Sequence, residues 1–147
     1  MADPIVLSRA EIADLQANLN LIFARARSLW KESAQRIDPE LQPTGYKLLG
    51  VIVRSEGTSA HQLAELFDMD KSVISRQVRI LEDLGLVETR PDASDGRQRV
   101  LTATEKAKAA LAAGVGEYSE RVHRTLAGLS HEEIRIASEV FRRMAEA

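Results

Sequence analysis

Residues 58–102 read TSAHQLAELFDMDKSVISRQVRILEDLGLVETRPDASDGRQRVLT, and two helical stripes followed by a turn-rich hairpin run through them. In the first helix Leu63, Ala64 and Phe67 fall on one side. Ser59 ahead of Gln62 predicts a capping box, each side chain satisfying the other's free backbone N–H. Asp70 reads as the N-cap of a second helix, since its carboxylate can accept from the first-turn N–H groups and suits the positive end of the helix dipole. Ile74, Val78 and Leu81 form that helix's inward stripe. Lys71, Ser72, Val73, Ser75, Arg76 and Arg79 remain on the outward arc, with no acid among them.

The hairpin gives this helix pair its meaning. Residues 86–90 and 98–101 are short strand-compatible runs, and residues 91–96 between them are turn formers ending in Asp95-Gly96. Helix, turn, helix and hairpin in that order make a winged helix-turn-helix. The outward side chains suit a DNA major groove: Arg binds guanine bidentately, Ser reaches base edges or phosphates, and the Val73 methyls can meet a thymine methyl. Arg97 and Arg99 alternate on one face of the hairpin, which places a guanidinium near its tip, able to enter a narrow minor groove. The plainer alternatives are a solvated cationic face on an ordinary helix pair and a weak surface ion pair between Asp95 and Arg97.

The runs Gly57-Thr58-Ser59, Gln62-Leu63-Ala64-Glu65-Leu66, Ser72-Val73-Ile74-Ser75-Arg76, residues 81–87 (LEDLGLV) and Asp95-Gly96-Arg97 together resemble the MarR family of bacterial transcriptional regulators. Each run is weak alone; their order and spacing are specific. The resemblance covers most of the chain. It implies a mostly α fold with a small β-hairpin wing, in which a winged helix-turn-helix reader (residues 42–102) is flanked by N- and C-terminal dimerisation helices (8–36 and 103–147). It further implies a homodimer on a pseudo-palindromic operator in double-stranded DNA, usually a repressor released by a small molecule or by oxidation. Arg97 matches the residue that enters the minor groove from the wing. Asp95 matches one that commonly positions the wing by tying it to an Arg of the recognition helix, here Arg76. One departure stands out: the family's Leu-Thr-x-x-Gly appears as Leu101-Thr102-Ala103-Thr104-Glu105, where Thr102 and Glu105 read as a capping box for the next helix.

Composition agrees with this class. A chain of 147 residues with 44% apolar content can bury one core, so a single domain over 1–147 is the natural count. A formal net charge of −2 argues against a general polyanion binder, so attraction to DNA must be local and salt-sensitive. Cysteine is absent, which removes disulfides, thiolate zinc sites and the thiol switch that some family members use. His61, His123 and His131 share no close ligand spacing, so no metal is assigned. There is no apolar run of the ~20 residues a membrane span needs, and no signal-peptide core at the start, so the cytoplasm is expected. The sequence shows no nucleophile motif, phosphate-binding glycine loop or paired carboxylates; an enzyme and a cofactor are not expected. The competing function is a winged-helix module that binds protein without specific DNA recognition, since fold does not dictate function.

The outer segments explain how a reader could be doubled. Ser8 and Glu11 predict a capping box opening a long helix, along which Ile12, Leu15, Leu19, Ile22, Phe23, Ala26, Leu29 and Trp30 hold one apolar arc. Ala10, Ala13, Ala17, Leu21, Ala24 and Ser28 offer a small-residue surface on the other side. Towards the C-terminus, Ala107, Leu111, Val115, Tyr118, Val122 and Leu126 recur at helical spacing. Gly114 and Gly116 are expected to interrupt that helix, for a close crossing or a bend. Ser130 and Glu133 then open a last helix bearing Ile134, Ala137, Val140, Phe141 and Met144. These terminal helices need a partner, and two copies would supply one with twofold symmetry. In the family, effectors often lodge between the dimerisation helices and the reader. Trp30 and Tyr46 are therefore candidates to line a pocket for an aromatic or acidic small molecule, with Arg25 or Arg27 for an acidic group; core packing is their plainer role.

Overall fold

A computed structural model describes residues 6–147, which form six helices and one two-stranded antiparallel sheet. The chain divides into two compact units, one ending at Leu111 and the other spanning Ala112–Ala147.

In the first unit, α1 (Arg9–Ile37) opens on the predicted capping box: the Ser8 N–H donates to Glu11 Oε2 at 2.8 Å and the Glu11 N–H to Ser8 Oγ at 3.2 Å. Only its last turns approach the core, where Ala34 is fully buried. The short α2 (Pro43–Arg54) begins at a proline, whose missing N–H costs nothing in a first turn. It buries Gly45, Leu48, Leu49 and Ile52 and forms the centre of the unit, packed against α1, α4 and the sheet. Helix α3 (Ala60–Phe67) starts on the predicted Ser59/Gln62 box and buries Leu63. It ends at Asp68, whose left-handed backbone (φ 49°) lets its N–H return to the Ala64 and Glu65 carbonyls. This reversal sets the angle at which α4 (Lys71–Asp83) leaves.

Asp70 does occupy the N-cap of α4, but its carboxylate makes no capping hydrogen bond. Its carbonyl instead accepts from the Val73 and Ile74 N–H groups, at 3.0 and 3.2 Å. Ile74, Val78 and Leu81 are buried as predicted, joined by Gln77. Helix α4 closes at Gly85, where φ of 71° allows the Leu86 N–H to reach Leu81 O at 2.9 Å, a conformation costly for other residues.

The hairpin comprises β1 (Val87–Pro91) and β2 (Arg99–Ala103), with Val87 opposite Ala103 and Pro91 opposite Arg99. Both strands lie slightly later than the sequence suggests, for a physical reason at each end. Leu86 has its N–H committed to closing α4, and the Gln98 N–H and carbonyl close the turn by bonding Asp95 O and the Asp92 N–H. An added bridge pins the sheet to the start of α3: Thr58 and Leu101 exchange backbone hydrogen bonds of 3.1 and 2.7 Å. Just before it, Gly57 sits at φ 147°, and a Cβ there would stand 2.8 Å from Val100 Cγ1.

Helix α5 (Glu105–Thr125) is capped by Thr104 rather than by the predicted Thr102/Glu105 pair, because β2 continues through Ala103 and holds Thr102 in the ladder. Thr104 Oγ1 accepts from the Ala107 N–H at 3.3 Å and donates to the Gly85 carbonyl at 2.8 Å. Gly114 and Gly116 do not interrupt α5, which is continuous through both.

In the second unit, α5 gives way after Thr125 to a turn containing Gly128, and the predicted Ser130/Glu133 box opens α6 (His131–Glu146). No residue of α6 is buried.

Candidate nucleic-acid interface

Burial of Ile74, Gln77, Val78 and Leu81 fixes the rotation of α4, and the opposite arc follows from its period. Lys71, Ser72, Ser75, Arg76 and Arg79 are exposed, and Val73 is half-buried beside them. Arg97 is exposed in the turn of the wing and Arg99 at the start of β2. Lys71 and Arg97, distant in sequence, line one groove. Among the described residues, Lys71, Arg76, Arg79, Arg97 and Arg99 have no ion pair and no side-chain hydrogen bond. By contrast Arg135, Arg142 and Arg143 on α6 are all held by Glu132, Glu139 or Glu146. The reader's cations are thus left free for an external polyanion.

The wing turn is held by its own carboxylates. Asp92 Oδ1 accepts from the Ser94 N–H and from the Ser94 hydroxyl, both at 2.9 Å, and these bonds hold the Asp92 carboxyl below its ordinary pKa range. Asp95 Oδ1 accepts from the Arg97 N–H at 3.0 Å. Neither the Asp95–Arg76 tie nor an Asp95–Arg97 side-chain pair is formed among the described residues: Asp95 is spent locally, as Asp commonly is in turns. What joins the wing to α4 is instead a hydrogen bond from the Thr89 hydroxyl to the Glu82 carboxylate.

Two anchoring groups had no signature in the sequence. Lys106 Nζ donates to the Leu84 carbonyl at 2.8 Å and, with Thr104 on Gly85, satisfies carbonyls at the C-terminal end of the recognition helix. Gln77 lies inward between α4 and the start of α2, its Nε2 3.4 Å from Gln42 Oε1 and its own Oε1 buried without a partner. A lysine reaching another helix's terminus leaves no local pattern, and a single polar residue in an apolar stripe gives no hint of its mate.

Trp30 and Tyr46 are both half-buried. Lys47 Nζ stands 4.0 Å from the Trp30 ring centroid, a cation–π contact joining α1 to α2, and Tyr46 packs against the core. Arg25 is engaged with Glu32, at 3.7 Å. Among the described residues, no group of His, Asp and Glu side chains is placed to hold a metal, and no helix is long and apolar enough to cross a membrane.

Comparison with known proteins agrees with this architecture. The MarR family model matches residues 41–98, from the start of α2 through the wing turn. The uncharacterised HTH-type transcriptional regulator YxaD of Bacillus subtilis (strain 168) is 30% identical over 121 residues, covering 82% of this chain and 85% of that protein. Among solved structures, RV1404 from Mycobacterium tuberculosis superposes with a TM-score of 0.80 at 14% identity, covering 99% of this chain and 98% of that one. The transcriptional regulator SlyA gives a TM-score of 0.71 at 23% identity, covering 90% and 92%. With its helical frame, its hairpin wing and a relative of this identity along most of its length, the chain belongs to the MarR family of transcriptional regulators, and is not an enzyme.

Proposed function

We propose that the chain is a homodimeric, sequence-specific repressor that holds a pseudo-palindromic operator in double-stranded DNA and is released by a small-molecule effector. The observation that carries DNA recognition is the set of five unpaired cations on the outward arc of α4 and on the wing. In this reading Ser72, Val73, Ser75, Arg76 and Arg79 meet the major groove, Lys71 a phosphate and Arg97 the minor groove, and Asp95 sets the wing turn that carries Arg97. The residues form one functional domain acting on chromosomal DNA, hence in the cytoplasm. Support for doubling comes from apolar side chains left bare in the single chain: Ile22 and Phe23 on α1 are 50% and 53% exposed, and Phe141 on α6 is 50% exposed. Isolated apolar residues are ordinary on surfaces, but runs along successive turns need cover. Trp30 and Tyr46 stand where α1 meets α2, and an effector there acts only if it prefers one spacing of the two recognition helices.

The deciding experiment is fluorescence anisotropy with the chain's own upstream region and a scrambled duplex at two salt concentrations, comparing wild type with Arg97→Ala. Salt-sensitive preference for the native duplex, weakened in the variant, is the expected result. No preference there and none after selection from random DNA would favour a protein-binding module.

A further inference from the structure

The groove shared by Lys71 and Arg97 has a volume of about 560 Å³ and is walled by the first turn of α3, the head of α4 and residues 97–99 of the wing. Its remaining polar lining includes His61, Gln98 and Arg99, and it contains no carboxylate. The nearest acid partner is Glu65, one turn along α3, whose Oε1 is 3.3 Å from His61 Nε2. Lys71, Arg97 and Arg99 therefore face a common space with no counter-charge, beside the α3 start, where the Ala60 and His61 N–H groups have no intrahelical acceptor. Like charges gathered this way repel each other, and a polyanion relieves that repulsion.

We propose that this groove seats the sugar-phosphate backbone of the bound duplex, with Arg99 as a charge contact and His61 and Gln98 as hydrogen-bonding contacts beyond those of α4 and the wing tip. The inference rests on the DNA-binding reading and deepens it. In that reading Lys71 and Arg97 both touch DNA. They border the groove from different elements, so a strand that meets both passes over the space between them. Such a strand brings a phosphate roughly every 3.4 Å, a spacing that can serve several donors at once. An isolated anion has the same chemistry but cannot span from Lys71 to the wing, so the duplex backbone is the occupant that uses the whole groove. Contacts of this kind carry no sequence information; they fix register and add affinity on every sequence alike.

The test is the salt dependence of anisotropy for wild type, Arg99→Gln, Arg99→Lys and His61→Ala, on the upstream duplex and on its scrambled counterpart. Arg99→Gln is expected to weaken both duplexes by the same factor and to make the log–log salt slope shallower by about 0.9, the value for one lost phosphate contact. Arg99→Lys retains the slope, which separates charge from a structural role, and His61→Ala weakens both duplexes equally. A parallel arm follows the Arg99 and His61 NMR signals during titration with inorganic phosphate at constant ionic strength. Saturable binding of phosphate, together with an unchanged DNA salt slope in Arg99→Gln, would assign the groove to a free anion and overturn the proposal. An unchanged slope in Arg99→Gln while wild type binds DNA overturns the groove alone. Absence of salt-sensitive binding by wild type to any duplex overturns the groove and the DNA reading together.

Discussion

Single side chains of the reader divide by what they can contact. Arg76 leaves the middle of α4 exposed and unpaired, where a guanidinium can bind a guanine edge bidentately, whereas Lys71 at the helix head is a compact charge suited to phosphate. Arg76→Ala should cost about 1–3 kcal/mol on the operator and relax base preference at one position; Lys71→Ala should weaken all sequences alike and reduce the salt slope by about 1. Identical behaviour of the two in a binding-site selection would refute this division. On the wing, the Ser94 N–H and hydroxyl bond the ionised Asp92 carboxylate and lower its pKa in the folded state. The sign follows directly: a depressed carboxyl lends stability above its unfolded value of about 3.9 and loses it as pH falls through the folded value. The wing turn should stay intact through neutral and mildly acidic pH and loosen only below that range. An NMR titration of the Ser94 amide checks this, and a midpoint at or above the free-peptide value would contradict it.

Helices and strands show which features were legible in the sequence. The boxes Ser8/Glu11, Ser59/Gln62 and Ser130/Glu133 were readable because each closes within one turn, and the α4 stripe because its period is fixed. Junctions between elements were not readable. Asp70 caps through its carbonyl, Thr104 displaces Thr102 because β2 runs on, and the Thr58–Leu101 bridge pairs residues from separate elements. The candidate interface divides the same way. Its outward arc followed from periodicity, but the groove that brings His61 and Arg99 beside Lys71 exists only once α3, α4 and the wing are assembled. Thr104 and Lys106 yield an element-scale prediction, since they hold the Gly85 and Leu84 carbonyls at the end of α4. Thr104→Ala removes a cap of α5 and a tie to α4, and should lower unfolding stability by about 1 kcal/mol. Combined with Lys106→Met it should speed hydrogen exchange at the amides of residues 84–86. Unchanged exchange there would show that packing alone holds the helix end. For α5, a Cβ at Gly114 or Gly116 meets nothing within 4 Å in the single chain. Alanine at both should therefore stabilise the helix by about 1 kcal/mol per site, raising Tm. A lower Tm would mean that another backbone lies against the glycines in the assembled protein.

For the whole molecule, the question is what covers the apolar residues that neither compact unit buries. Ile12, Leu15, Ile22 and Phe23 stand exposed along α1, Val115 and Tyr118 along α5, and Ile136, Phe141 and Met144 along α6. None belongs to the buried core built around α2 and α4, so their cost is not offset by the fold of one chain. Their function in the proposed homodimer is to join two readers, placing recognition helices in successive major grooves about 34 Å apart along one face of the duplex. Joining the readers converts the second binding event into an intramolecular one, worth roughly 10²–10⁴ in affinity without any new contact. A charge placed in such an interface has no partner and must be desolvated. Phe23→Glu with Phe141→Glu should therefore sediment as a monomer and lose about 10²-fold or more in operator affinity. Its circular dichroism should still show a folded helical protein, because both substituted side chains lie outside the core. Sedimentation velocity and anisotropy on the same samples test the chain of cause: a variant that becomes monomeric yet keeps full operator affinity would break the link between dimerisation and DNA binding, and one that remains dimeric would place the interface on other faces.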